Sequence, residues 1–139
     1  MVNIFDVKDA LVSYDSYYSN AAIAYPNYQM GVLINMLDNG KPAYYRGEQY
    51  IPSSNSYEGH AWVVDGYLHV EESWNGGNNT MSYYCLHHNW GWYGLHDGYY
   101  TQSSYLASDR FDYDSTVDRS YIDYSDTDNY ISTRQFISY

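Results

Sequence analysis

The sequence predicts an α+β domain in which an antiparallel sheet of about five strands, curled towards a half-barrel, packs against one helix. Three observations support this prediction. Two early segments carry apolar residues at helical spacing, later segments alternate or run apolar over strand lengths, and Gly or Pro turn signals separate them. The 139 residues form one predicted domain, 1–139, with one modest core.

The two predicted helices come first in the chain. Residues 3–14 place apolar side chains three or four positions apart, at Ile4, Val7, Leu11 and Tyr14. Residues 30–38 repeat this spacing on one face, and Asn39-Gly40 then forms a stop signal that Pro42 reinforces. We expect the 30–38 helix to pack on the sheet.

The predicted strands follow the helices. The candidates are residues 41–48, 59–70 and 81–92, one more strand within 95–106, and the closing segment 129–139. Residues 71–80, between the two central candidates, carry an Asn-Gly-Gly turn signal and are also predicted to be a loop. Three polar segments, 15–29, 47–59 and 106–129, are predicted to be loops, the last of them a long surface loop.

Composition excludes several classes of partner. The formal net charge is −11. Proteins bind nucleic acid and anionic membrane surfaces through Lys and Arg, so neither is expected as a partner of this chain. Tyr supplies 21 residues and Phe only three, so much of the aromatic surface has a polar tip and suits half-exposed positions. The lone Cys85 cannot form an internal disulfide.

The chain carries no recognisable targeting segment. No run approaches the ~20 apolar residues that a membrane-spanning helix needs. The first twelve residues contain acids where a signal peptide has a basic flank and an apolar run. We therefore expect either a cytoplasmic protein or a natural chain that begins before Met1.

Three sequence blocks follow one another along the chain, and the last two combine His, Trp and Gly. The first is the helix end with its stop signal, 39–45; the second is GHAWVVDGY, 59–67; the third is HHNWGWYG, 87–94, followed by DGYY at 97–100. Together these blocks resemble the C-terminal half of the streptopain family, papain-like cysteine peptidases of bacteria. The resemblance spans roughly half of the chain and implies the fold of a papain-like right-hand domain.

The resemblance also implies a catalytic role for three residues. His60 is the expected catalytic imidazole, and Asn89 and Trp90 are expected to orient and shield its ring. A cysteine nucleophile needs an imidazole to hold it as thiolate, and the imidazole needs a third group to fix its tautomer. An Asn carbonyl can accept from the ring N–H, and an indole over that contact excludes water. Which of Asn89 and Trp90 contacts the ring stays open at this point.

Substrate contacts are expected beside these residues. Gly59, before the histidine, and Gly91 allow backbone and substrate to approach closely. Trp92 is the expected wall of a groove. Tyr93 stands where the family usually has Gly, so we expect it to narrow that groove.

The main departure from the family is the missing nucleophile. In the family the nucleophilic Cys precedes the histidine, whereas no Cys precedes His60 here. If His60 faces Asn89 in an antiparallel pair, Cys85 lies opposite Val64, four residues along the strand and about 13 Å from His60. This distance is far beyond the ~3 Å that a nucleophile and its base require. We therefore predict that Cys85 is a buried structural thiol and that the chain alone is inactive.

A metal site is the other chemistry that the histidines suggest. Besides His60, the chain has four histidines near two acids: His69, His87, His88 and His96, with Asp65 and Asp97. Adjacent strand histidines point to opposite faces, and no tight ligand spacing is present. We expect no metal and no cofactor, and we interpret Asp65 as a strand-end or turn acid.

Two hypotheses about function remain. In the first, the chain is the histidine-bearing part of a cysteine endopeptidase; its partners are an N-terminal half that carries the Cys and a protein or peptide substrate, and the resemblance implies a secreted or cell-surface location. In the second, it is a free-standing, non-catalytic binding module that holds peptide or glycan in a Tyr/Trp-lined groove. The missing thiol favours the module for this chain alone, whereas the surviving histidine and motif blocks favour a peptidase origin.

Overall fold

The computed structural model describes residues 3–112 and 127–139. These stretches contain two α-helices and six β-strands. In chain order they are α1 (Ile4–Tyr14), β1 (Ala22–Ala24), α2 (Pro26–Asp38), β2 (Ala43–Ile51), β3 (Ser56–Trp74), β4 (Asn79–Asn89), β5 (Gly98–Tyr100) and β6 (Ser132–Ser138). Neither of the described helices is long and apolar enough to cross a membrane.

Both predicted helices are present, and the second is longer than predicted. The side chain of Asn3 accepts from the Phe5 N–H and caps α1. Helix α2 begins at Pro26, four residues before the predicted start, because Pro is favoured at a first helical position. Its first turn is distorted at Gln29, whose side chain accepts from the N–H of Tyr25. The prediction that 15–29 is wholly loop is therefore wrong.

The six strands form one antiparallel sheet in the order β1-β6-β2-β3-β4-β5. The sheet is open, with β1 and β5 at its edges. This confirms the predicted α+β class with an antiparallel sheet. The strand that the sequence did not predict is β1, a three-residue piece that pairs with the end of the chain in β6.

Two predicted loops are largely strand. Within 47–59, β2 runs on to Ile51 and β3 begins at Ser56; within 71–80, only the four residues between β3 and β4 form a turn. Polar residues are tolerated because 52–58 and 71–82 are exposed, whereas Gln49 near the end of β2 is buried. The cross-strand pair Tyr50–Tyr57 supports the first of these hairpin ends. Within the third predicted loop, 106–129, Ala107–Asp109 forms a 3₁₀ turn and Phe111 bridges to Tyr99. Residues 113–126 lie outside the described part of the chain.

The core lies between α2 and one face of the sheet. Leu33 and Met36 of α2 are buried in the same cluster as Tyr45, Val64 and Phe136 of the strands. Along β2 buried positions alternate with less buried ones, as expected for a strand with one face in the core. The same face continues past the core to His60, so the core sets the position of this histidine.

Candidate active site

The strand register places His60 differently from the sequence expectation. His60 in β3 pairs with Gly47 in β2, and Asn89 at the end of β4 pairs with Val63. The assumption that His60 faces Asn89 is therefore wrong by three residues. A bulge between Val64 and Gly66 lies beyond this pair and shifts the β3–β4 register by one further residue towards Cys85. Period-2 counting along a strand foresees neither the starting register nor the bulge.

The contact that orients His60 comes from the main chain of Trp90. Nε2 of His60 lies 3.0 Å from the Trp90 carbonyl oxygen. Because a carbonyl only accepts hydrogen bonds, Nε2 carries the ring hydrogen and Nδ1 keeps its lone pair. The contact thus selects one tautomer of His60.

Aromatic rings cover His60. Its ring stacks on Trp92, with centroids 4.7 Å apart and planes 20° apart. Trp90, Trp62 and Tyr130 complete the cover, with ring centroids 6.2, 5.9 and 5.4 Å from the histidine ring. This aromatic cover limits the access of water to the imidazole and leaves the ring half-buried.

Trp90 itself is firmly anchored. It is 2% exposed, and its ring lies 4.5 Å from Trp62 and 5.3 Å from Trp92. The indole N–H donates to the carbonyl of His96 at 3.1 Å, and the main-chain N–H donates to Oδ1 of Asp97 at 2.9 Å. Both the shielding ring and the orienting carbonyl are therefore fixed by residues 96–97.

Asn89 does not contact the ring directly. Its Oδ1 accepts from the N–H of Gly91 at 3.2 Å, and the residue is exposed. The Trp90 carbonyl oxygen, and not the expected Asn89 side-chain oxygen, makes the hydrogen bond to the imidazole of His60. The Asn89 side chain instead holds the turn that carries this carbonyl.

The expected substrate-contacting residues lie around this turn and beside His60. Gly59 precedes His60 in β3 and pairs with Glu48. Trp92 is half-buried against His60, whereas Tyr93 is fully exposed with φ +57°. A positive φ is strained for a side chain as large as Tyr93, and its ring stands clear of the fold.

A segment far along the chain also reaches the site. Residues 128–130 cross β2 at Gly47, where a Cβ would overlap the carbonyl oxygen of Tyr130. Gln49 holds the segment, donating to Oδ1 of Asp128 at 2.9 Å and accepting from the N–H of Asn129 at 2.8 Å. Sequence reasoning missed Gly47, Gln49 and Tyr130 because nothing local connects them to His60.

Cys85 is buried, as predicted, and far from His60. It pairs with Leu68, eight residues along β3 from His60, or roughly 26 Å at the usual rise per strand residue. The predicted partner, Val64, was wrong by four residues: the β3–β4 register differs by three from the assumed one, and the bulge adds the fourth, so the true separation is larger. Burial, with a smaller contribution from Glu72, raises the pKa of the Cys85 thiol to about 11.

The other histidines take separate environments. Nδ1 of His87 lies 2.5 Å from Oδ1 of Asp65, whereas His88 is fully buried on the opposite face of β4. Burial lowers the pKa of His88 well below its ordinary value, with His87 and Arg134 acting in the same direction. The described residues contain no group of three His, Cys, Asp or Glu side chains that would hold a metal ion.

Comparisons with known proteins bear on the family and the fold of the chain. The family model described as the Peptidase C10 family matches residues 2–100. No curated protein matches the chain. Among solved structures, the active wild-type interpain A cysteine protease of Prevotella intermedia matches with a TM-score of 0.54 and 20% identity, over 86% of this chain and 38% of that chain. This likeness shows the fold alone and confirms the predicted papain-like architecture; the chain spans about two fifths of the neighbour's length.

Proposed function

Because the chain belongs to the peptidase C10 family, the streptopain family, we propose that it is the histidine-bearing part of a cysteine endopeptidase. The observation that carries the proposal is the contact between Nε2 of His60 and the carbonyl of Trp90 under the aromatic cover. A ring held in this way has a defined tautomer, and Nδ1 is the nitrogen that can act as a base. Family membership supports an extracellular site of action.

In the proposed reaction, Nδ1 of His60 takes the proton of a cysteine thiol. The thiolate attacks the carbonyl carbon of a peptide bond, and the imidazolium then gives the proton to the leaving amine. Water hydrolyses the resulting thioester and regenerates the thiol. The Trp90 carbonyl stabilises the imidazolium by accepting from Nε2–H throughout the cycle.

The nucleophile is proposed to come from a partner segment. Cys85 is buried and lies about eight strand residues from His60. The N-terminal half of the peptidase unit is therefore proposed to carry the Cys and to pack where Nδ1 of His60 faces it. Gly59, Trp92 and Tyr93 are proposed to line the substrate groove beside this junction.

The test supplies the missing half. The chain is combined with a Cys-bearing N-terminal half of a C10 peptidase, in trans or as one longer chain, and casein hydrolysis is measured. His60→Ala is expected to remove nearly all activity, whereas the matched control Cys85→Ser leaves turnover nearly intact. Loss of activity with Cys85→Ser, together with retention in His60→Ala, would overturn the assignment.

One observation favours a second function for the chain alone. The thiol of Cys85 is out of reach of His60, so the isolated chain has an orienting site without a nucleophile. A non-catalytic module that binds peptide or glycan beside Trp92 and Tyr93 is consistent with this. Titration calorimetry with casein peptides and with oligosaccharides tests it: binding by the wild type and His60→Ala alike, with no turnover in the assembled form, favours the module.

A further inference from the structure

The turn after β4 is closed by one carboxylate. Oδ1 of Asp97 accepts from the Trp90 main-chain N–H at 2.9 Å. We propose that Asp97 is a positioning residue, which aims the Trp90 carbonyl at His60 and thereby fixes the hydrogen of that ring on Nε2. The catalytic meaning of this inference rests on the proposed function, whereas the positioning itself is measurable without catalysis.

The two peptide groups of Trp90 are held separately. Asp97 binds the N–H of the peptide between residues 89 and 90. The next peptide presents the Trp90 oxygen to His60 and the Gly91 N–H to Oδ1 of Asn89. Because a peptide group is planar, the bond from the Gly91 N–H to Asn89 fixes the tilt of the peptide that carries the Trp90 carbonyl. The bond from the Trp90 N–H to Asp97 fixes the position of Trp90, where this peptide begins. Both contacts are needed to define the direction of the carbonyl.

The same segment also grips the Trp90 side chain. The indole N–H donates to the His96 carbonyl, which also accepts from the hydroxyl of Tyr100. Residues 96 and 97 thus bind both the ring and the backbone of Trp90. His96 has φ +63°, a left-handed conformation that is costly for a non-glycine residue. A strained turn is retained when surrounding contacts over-determine it, and these bonds supply such contacts.

A carboxylate suits this position for an electrostatic reason. A charged acceptor makes a shorter and stronger bond to a main-chain N–H than a neutral one does. The guanidinium of Arg110 lies against the same residue, with Nη1 donating to the Asp97 carbonyl at 3.4 Å. Next in the chain, a Cβ at Gly98 would overlap the Arg110 side chain, so Arg110 packs closely over this end of the turn. Asp97 therefore has little freedom to leave Trp90.

The experiment uses NMR of the 139-residue chain with ¹⁵N-labelled histidine and tryptophan labelled with ¹³C at the carbonyl. In the wild type we expect His60 to show a hydrogen on Nε2 and a scalar coupling across the hydrogen bond to the Trp90 carbonyl carbon. In Asp97→Ala we expect exchange of this hydrogen with water to rise by up to about tenfold, the factor that one hydrogen bond of typical strength supports. In Asp97→Asn, which keeps an acceptor oxygen in place but removes the charge, the rise should be smaller than in Asp97→Ala.

The matched control is Asp38→Ala, which removes a carboxylate that accepts from the Tyr67 hydroxyl instead of from the turn. It should lower stability without changing His60 exchange, so the readout separates positioning from general destabilisation. Unchanged His60 exchange in Asp97→Ala, at equal protection of the core amide of Val64, would overturn the proposal.

If Asp97→Ala does not fold, Asp97→Glu replaces it, because the extra methylene moves the acceptor. Equal His60 exchange in the wild type, Asp97→Asn and Asp97→Glu would then overturn the proposal. An assembled enzyme that shows no turnover, although Asp97 controls His60 exchange, would count against the proposed function and leave this inference standing.

Discussion

The carbonyl oxygen of Trp90 lies 3.0 Å from Nε2 of His60, although thirty residues separate the two in the chain. The Asn-Trp-Gly-Trp motif therefore acts through its backbone as well as its rings. Trp90 gives the orienting carbonyl, Trp92 stacks on the imidazole, and Asn89 holds the Gly91 N–H. The predictions below test this site and the fold around it.

Gly47→Ala is expected to displace the 128–130 segment from His60. A Cβ at this position overlaps the Tyr130 carbonyl oxygen, so we expect a loss of about 1–3 kcal/mol in the free energy of unfolding, as for overpacked sites. Urea denaturation measures the loss, and nuclear Overhauser contacts between the Tyr130 and His60 rings report the displacement.

The matched control for Gly47 is Gly31→Ala in α2, where a Cβ meets no atom within 4 Å. Alanine favours the helix there, so stability should rise by about 0.5–1 kcal/mol. Equal effects of the two substitutions on stability and on the ring contacts would contradict the close packing of the 128–130 segment over Gly47.

His88 is expected to make the fold sensitive to acid. Its ring is fully buried among aromatic rings, which include Tyr45 and Tyr105, and its two nitrogens have no hydrogen-bond partner in the described stretches. Burial lowers the pKa of His88 well below 6.5, and the charges of His87 and Arg134 act in the same direction. Below pH 6.5 the unfolded chain therefore binds a proton that the folded chain excludes, and stability falls.

The free energy of unfolding should fall by up to about 1.4 kcal/mol per pH unit below pH 6.5 because of His88. His88→Phe keeps an aromatic ring and should flatten this slope in urea titrations between pH 7 and pH 5. Met81→Phe, at an exposed position of β4 without a titratable side chain, is the control and should leave the slope unchanged. The same slope in the wild type and His88→Phe would refute the assignment to His88.

Cys85 is expected to react slowly in the folded chain. With a thiol pKa of about 11, only ~10⁻³ of Cys85 is thiolate at pH 8, against roughly a quarter for a free thiol of pKa ~8.5. Labelling by a maleimide at pH 8 should therefore be at least ~100-fold slower than in urea. Fast labelling of the native chain would show that the thiol is accessible and ionised.

Tyr93→Gly is expected to relieve backbone strain beside the proposed substrate groove. Tyr93 has φ +57° and a fully exposed ring, so glycine should raise the free energy of unfolding by up to about 1 kcal/mol. Tyr93→Ala removes the ring but keeps the strained Cβ, and it should not give this gain. Both variants should bind casein peptides alike in calorimetry if the ring alone narrows the groove; a difference between them would assign the effect to the backbone.

The sequence by itself determined the secondary-structure class and supplied His60 as the candidate catalytic residue. Period-3.6 spacing defines α1 and most of α2, and the glycine stop ends α2 close to where it was predicted to end. Strand-length apolar runs located the cores of β3 and β4. The Gly-His-Ala and Asn-Trp-Gly-Trp blocks pointed to His60 and Trp90. These side chains stand in short motifs that can be recognised in the sequence before their tertiary contacts are known.

Only the tertiary structure decided how these residues meet. The β3–β4 register placed Asn89 opposite Val63 instead of His60, and a main-chain carbonyl became the orienting acceptor. Every residue has a carbonyl, so no residue type marks the one that will face the imidazole. The contacts of Asp97 and Tyr130 likewise depend on chain directions set by turns and by a distant strand. Periodicity reports which face of its own element a residue occupies, whereas contacts between elements depend on the packing of the whole sheet.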